Sequence, residues 1–324
     1  MSSYREDFFD ENRPWSKLKN RILDSYMTPY LAKVNRRIQR IMLVDAFAGP
    51  GKMADGSPGS PLIMAGAAER YVRDKYKAYF FNNDLEHHSR LQRILEKRNW
   101  PSCSAILGDG IENLRPVIES LTDETFFLYI DPFGLDCEFN VLRPLLDRSK
   151  KCSTEILINL HMPITHRLGS RNQLSERHDS DPTIRRYHEK LNRVYGGDYW
   201  ADELLSDGDT KEREKRLIAK YCSALSSTGY LAYTGACPIR ESNESATKYF
   251  MVFASSHIDS MLIFNDEMCK SYNKYMNDQT SQGGLFAGLT WQDWRDSRKL
   301  TELVVEYVKK YPATTRKELW NRIG

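Results

Sequence analysis

The sequence predicts an α/β fold: a doubly wound, mostly parallel seven-stranded sheet with a helical insertion and a C-terminal helical, winged-helix-like fragment. Three observations predict it. Short apolar runs alternate with helical patterns from Ile41 onward. The first five runs are almost continuously apolar, as strands are when helices cover both faces of their sheet. Carboxylates and amides recur where those runs stop, the place at which open α/β sheets bind ligands.

A chain of 324 residues can bury one large core plus a small appendage. Hydrophobic residues make up 40% and charged residues 28%, an ordinary balance for a soluble globular protein. No apolar run is long enough to span a bilayer, and no membrane association is expected. The polar start MSSYREDFFDENRPW lacks the apolar segment of a secretory signal. The six cysteines are scattered with no CxxC or CxH pair, which argues against zinc and against a disulfide framework and points to a reduced, cytoplasmic setting. A net charge of +3 permits contact with nucleic acid without demanding it.

The elements follow in order. Residues 1–34 read as a loose arm and a helix, with Trp15, Leu18, Ile22, Tyr26, Tyr30 and Val34 at three-four spacing. Residues 35–278 read as the α/β domain. Its strands are Ile41–Phe47, Lys77–Asp84, Cys103–Gly110, Thr125–Gly134 and Thr154–Leu160, closed by an end pair at Tyr230–Ile239 and Thr247–Ser255. Helices are expected at Ser60–Asp74, with Ser60 as N-cap and Pro61 first inside, at His88–Arg98, near Ile111–Leu121 and near Asn140–Lys150. A polar stretch, 163–210, breaks the rhythm and reads as a helical insertion. Lys211–Ser227 and the segment from His257 read as helices, Gln279–Gly284 as a linker, and 285–324 as a helix-turn-helix-like module.

Four strand ends carry polar residues that suit a ligand. In DAFAGPGK, Gly49 and Gly51 let backbone approach a ligand closely. The string also matches G-x-G-x-x-A, but Gly56, Pro58 and Gly59 delay the helix on which a pyrophosphate would rest. Asp45 would repel a pyrophosphate and attract an ammonium or sulfonium, so the preference moves from NAD to S-adenosylmethionine. Phe47 lies in the same loop. Asn82 and Asp84 alternate onto one side of the second strand and can accept from ribose hydroxyls, or stand as a solvated strand end. Asp109, in LGDG, can hold an adenine amino group or serve a turn. In IDPFG, Asp131 and the carbonyl of Pro132 can accept both protons of one exocyclic amine, and the Phe133 ring can stack on its base. The bland alternative is a strand-ending turn with a core aromatic.

These residues resemble the three-Cys-motif partner protein family, a methyltransferase-like group. The resemblance rests on WSKLKNRILDSY, VDAFAGPG, GSPLIM, LGDG, IDPFGL and EILINL, in that order, and covers roughly residues 15 to 275. It implies a class I, Rossmann-like S-adenosylmethionine-binding fold and a partner carrying a three-cysteine motif, itself radical-enzyme-like. DPFG is also similar to the motif of tRNA guanine N2-methyltransferases and is related to the D/N-P-P-Y/F of base amino-methyltransferases. Asn82 and Asn83 depart from the acidic residue expected at the end of the second strand, which puts the ribose contact in doubt.

The candidates are therefore Asp131, Pro132 and Phe133 for catalysis, and Asp45, Phe47, Gly49, Gly51, Asn82, Asp84 and Asp109 for the cofactor, with no metal. Two functions are expected: an N-methyltransferase acting on a nucleobase amine in RNA or DNA, or a methyltransferase-like module that serves its partner without catalysis. A dehydrogenase fits neither the late helix nor the DPFG strand end. The basic segment 163–193, with Arg167, Arg171, Arg177, Arg185, Arg186 and Arg193 beside Tyr187 and His188, could track a phosphate backbone or form a solvated face. Asn159 could line the pocket or cap the next segment. His161 and His166 have no ligand spacing.

Overall fold

A computed structural model describes residues 14–148, 152–169, 181–241 and 245–281, with isolated positions between 305 and 315. The first arm, Arg171, Arg177 and nearly all of the C-terminal module lie outside the described residues.

The chain runs α1 (Pro14–Val34), β1 (Ile41–Asp45), α2 (Ser60–Tyr71), β2 (Tyr76–Asn82), α3 (Leu85–Arg98), β3 (Cys103–Leu107), α4 (Gly110–Ser120), β4 (Thr125–Ile130), α5 (Phe139–Leu146) and β5 (Thr154–His161). It continues through α6 (Met162–Leu168), α7 (Pro182–Tyr195), α8 (Tyr199–Leu205), α9 (Thr210–Leu225), β6 (Tyr233–Ile239), β7 (Tyr249–Ser255) and α10 (Ile258–Ser281).

The seven strands form one sheet in the order β3-β2-β1-β4-β5-β7-β6. Strands β1 to β5 are mutually parallel, and β7 alone runs against them, pairing antiparallel with both β5 and β6. This is the doubly wound α/β fold expected from the sequence. The chain enters at β1, winds outward to β3, then returns to β4 on the other side of β1. The reversal leaves a crevice at the carboxyl ends of β1 and β4.

Alternation along the strands builds two cores. Leu43, Phe80, Phe127, Leu157 and Phe253 face α1, α2, α3 and α10. Val44, Phe81, Leu128, Ile158 and Val252 face α4, α5, α7, α8 and α9. Strand β4 is therefore buried at every position, which is why it reads as an unbroken apolar run. The three-four periodicity of α1 buries Leu18, Ile22, Tyr26 and Tyr30 against the sheet. Each such side chain contributes about 1.5–3 kcal/mol relative to exposure.

Several boundaries move for identifiable reasons. Strand β2 stops at Asn82, and Asp84 caps α3, which begins at Leu85 and not at His88. Strand β4 stops at Ile130, before the DPFG turn. The N-cap of α2 is Gly59, with Ser60 already inside the helix and no side-chain cap bond. The described part of the insertion is helical, in α6, α7 and α8. Helix α10 continues to Ser281, into the stretch expected as a linker. Among the described residues no helix is long and apolar enough to cross a membrane, and no cluster of side chains could hold a metal ion.

Candidate functional site

The loop after β1 leaves the sheet at Asp45. The Ala46 amide donates to the Tyr129 carbonyl at 3.0 Å and the Ala48 amide to the Phe81 carbonyl at 2.8 Å, so the loop is stitched to both neighbouring strands. It then turns at Gly51, whose φ of +89° favours glycine, and the Gly51 carbonyl accepts from the Gly59 amide at 2.8 Å. Two cavities flank this loop.

The larger, about 160 Å³, is lined by Ala46, Phe47 and Ala48 from the loop, by Phe81, Asn82, Asn83, Asp84 and His87 from β2 and α3, and by Asp109 and Gly110. Phe133 and Asp136 complete it from the turn after β4. Its polar groups are held rigidly. Asn82 donates to the Ala48 carbonyl and accepts from the Asp84 amide at 2.8 Å. Asp84 Oδ1 caps α3 through the His87 amide at 2.9 Å, and Asp109 Oδ1 caps α4 through the Ile111 and Glu112 amides. Gly110 is required where it stands: a Cβ there would lie 1.8 Å from the Ala46 carbonyl oxygen.

The smaller cavity, about 50 Å³, includes Ser16, Lys19 and Asn20 of α1, Gly49 to Met53, Gly59 to Pro61, and Asp131. Asp131 and Phe133, expected to act together, therefore open onto different cavities. The strand has already ended before them, at Ile130, so the turn sends the carboxylate toward α1 and the half-exposed ring toward the cavity beside α4. Pro132 lines neither cavity.

Lys19 was not anticipated. Its Nζ lies 2.8 Å from Asp131 Oδ1 and 2.7 Å from Oδ2, and 4.1 Å from the centre of the Tyr249 ring. The Lys19 side chain is 3% exposed. Burial, the largest single influence, works to lower its pKa, but the charge of Asp131, the Tyr249 hydroxyl and the hydrogen bond to Asp131 together outweigh it, so the ammonium is held above its ordinary value. Tyr129 also donates to Asp131 Oδ2, at 3.3 Å, and Asn159 donates to the Tyr129 hydroxyl at 3.0 Å. Asn159 thus braces the site from beneath. His161 caps α6, accepting at Nδ1 from the Ile164 amide. Burial and the neighbouring Lys19 depress its pKa to about 4, so it stands neutral near pH 7.

Asp45 is completely buried, and its Oδ2 has no hydrogen-bond partner. Burial pushes its pKa up to about 7; bonds from Ser60 and the Phe47 amide hold it down, and the charge of Asp131 adds to the rise. Such a carboxyl suits a cationic neighbour. Asp45 itself lines neither cavity, Gly49 and Gly51 line the smaller one, and Asn82, Asp84 and Asp109 line the larger one. Two basic residues of the insertion pair with the turn after β4: Lys190 with Asp136, which lines the larger cavity, at 2.8 Å and Arg193 with Glu138 at 2.7 Å.

No family model matches the sequence, and no curated protein does. Solved structures similar to the chain include a methyltransferase from Geobacter sulfurreducens, at 15% identity over 48% of this chain and 64% of that one, with a TM-score of 0.30. This chain therefore spans less than two thirds of that protein. An rRNA methylase from Streptococcus thermophilus is 12% identical over 70% of this chain and 93% of that one, with a TM-score of 0.32. TYW2 from M. jannaschii, in complex with AdoMet, is 12% identical over 71% and 75%, with a TM-score of 0.30. The fold assignment rests on the strand order itself, since overlaps this slight carry no argument.

Proposed function

We propose that the protein is an S-adenosylmethionine-dependent N-methyltransferase acting on an exocyclic amine of a nucleobase in RNA or DNA, together with a three-Cys-motif partner. The observation that carries this reading is the gathering of Phe47, Asn82, Asp84 and Asp109 around one cavity at the carboxyl tips of β1, β2 and β3, with Asp131 beside Gly49 and Gly51 in the next. In this reading Asn82 and Asp84 hold ribose hydroxyls and Asp109 the adenine side, while Asp45, fully buried, acts on a cationic end through its charge and not by contact. When bound, the cofactor supplies a methyl carbon on cationic sulfur. Asp131 would accept from the target amine and draw its lone pair out of the ring; Pro132, expected to share this role, lines neither cavity. With the cofactor bound, its methyl would pass to the amine nitrogen, its sulfur would leave with the bonding pair, and Asp131 would take up the surplus proton of the amine. The rest is positioning in line at about 3–3.5 Å. A base inside a duplex would first be extruded. Phe133 offers a stacking surface for a base, and the 163–193 segment a backbone contact.

A second reading is a methyltransferase-like partner module without catalysis. It is favoured by Lys19, whose ammonium already holds both oxygens of Asp131. Calorimetric titration with S-adenosylmethionine, S-adenosylhomocysteine and NAD, followed by transfer of radiolabelled methyl to RNA and DNA, separates the two. The enzyme reading expects transfer that Asp131→Ala abolishes while cofactor affinity stays within a few-fold. Transfer that survives in Asp131→Ala removes the amine-holding role, and binding of the partner protein alone selects the second reading.

A further inference from the structure

Lys19 and Asp131 present a donor and an acceptor, 2.7–2.8 Å apart, to the same small cavity. We propose that Lys19 is a specificity-determining residue that reads the ring nitrogen beside the target amine, so that the pair accepts only bases whose amine is flanked by a ring acceptor. This inference rests on the methyltransferase reading and adds to it the chemical edge that is recognised.

The argument is one of complementarity. A carboxylate offers about four lone-pair sites, and Lys19 with Tyr129 do not use them all. Asp131 can still accept from an incoming amine. Lys19 cannot swing away to make room. Leu18, Ile22 and Leu23 around it are fully buried, and its ammonium is fixed over the Tyr249 ring. An ammonium has three donors and no acceptor, so a base entering here must bring an acceptor next to its amine. The amidine edges of cytosine (N4 with N3) and adenine (N6 with N1) do this, and so does the Hoogsteen edge of adenine (N6 with N7). The Watson–Crick edge of guanine brings two donors, N1–H and N2–H, and would set N1–H against the ammonium. Guanine could enter only by its N2/N3 edge. A cavity of about 50 Å³ takes such an edge and leaves the ring outside it. The second reading treats the ion pair as a plug; here the same ion pair is half of the recognition surface.

The test uses the full chain and radiolabelled S-adenosylmethionine. Oligonucleotides carrying the methylated base are compared with the same oligonucleotides in which the flanking ring nitrogen is replaced by CH: 3-deazacytosine, 1- or 7-deazaadenine, or 3-deazaguanine. We expect kcat/KM to fall by at least about tenfold on one such replacement, the size of one lost hydrogen bond to a charged group. Lys19→Met should lower transfer to the parent base and bring the parent-to-deaza ratio close to one. Electronic effects of the deaza change act equally on both proteins and cancel between the two ratios. Lys19→Leu, which also removes the donor, serves if Lys19→Met does not fold. Transfer without discrimination in the wild type, or discrimination that persists in the variant, overturns the inference and leaves the methyltransferase reading standing. Transfer to no base at all overturns both.

Discussion

Replacing Asp45 by Asn should make the protein more stable at alkaline pH and change it little in acid. The carboxyl of Asp45 is fully buried with one oxygen lacking a partner, and its pKa in the folded chain is about 7 against an ordinary value of 3.8. A folded-state value above the unfolded one favours folding below the unfolded value, and that contribution is lost as pH rises through the folded value. Three units at about 1.4 kcal/mol each put the cost of the ionised form on the order of 4 kcal/mol above pH 7. Roughly 3 kcal/mol of this develops between pH 5 and pH 8. Asn keeps an acceptor for the Phe47 amide and carries no charge, so the variant should escape the loss. Urea unfolding of both proteins at pH 5, 6, 7 and 8 measures it. Glu155, also raised to about 7 by burial, is common to both and cancels in the difference. A variant-minus-wild-type difference that is flat across this range would refute the reasoning. In the methyltransferase reading the same titration bears on ligand binding, because a cation in the site favours ionised Asp45, and affinity for S-adenosylmethionine should weaken as pH falls below about 7.

Three further outcomes are expected. Gly110→Ala should cost about 1–3 kcal/mol or more, because its Cβ would meet the Ala46 carbonyl at 1.8 Å; a melting temperature like that of the wild type would show that the α4–β1 contact can yield. Tyr26→Phe removes the hydroxyl that donates to Glu155 Oε2 and should cost about 1–3 kcal/mol by chemical denaturation. Asp84→Ser keeps a cap for α3 and loses the carboxylate, so calorimetry should show weaker cofactor binding without a loss of stability, whereas Asp84→Ala should lose both, with about 1 kcal/mol from the cap.

The strands were legible because burial on both faces leaves an unbroken apolar run, as in Thr125–Ile130. The polar tips were legible as residue types. Their geometry was not, because it depends on where each strand stops. Asp131 and Phe133 would share a side if β4 continued, yet the chain leaves the sheet at Ile130 and the two part company. Asp84 and Asp109 read as ligand acceptors from sequence, and each also closes a helix. Lys19 did leave a trace, since a lysine stands beside Leu18 and four before Leu23 on the apolar stripe of α1. A charge in that position needs a partner. Its partner lies 112 residues away, a distance over which periodicity says nothing. Glu155 is the same case, a carboxylate in an apolar strand whose partner, Tyr26, is 129 residues away.

Helix α1 is thus pinned at two heights, by Lys19 to Asp131 and by Tyr26 to Glu155, with Ser25 reaching Ser271 across 246 residues. During translation, then, its apolar stripe is made long before the strands that will cover it. The nascent helix must wait with Leu18, Ile22 and Tyr30 uncovered, and a chain stalled before β5 should be sticky and prone to aggregate.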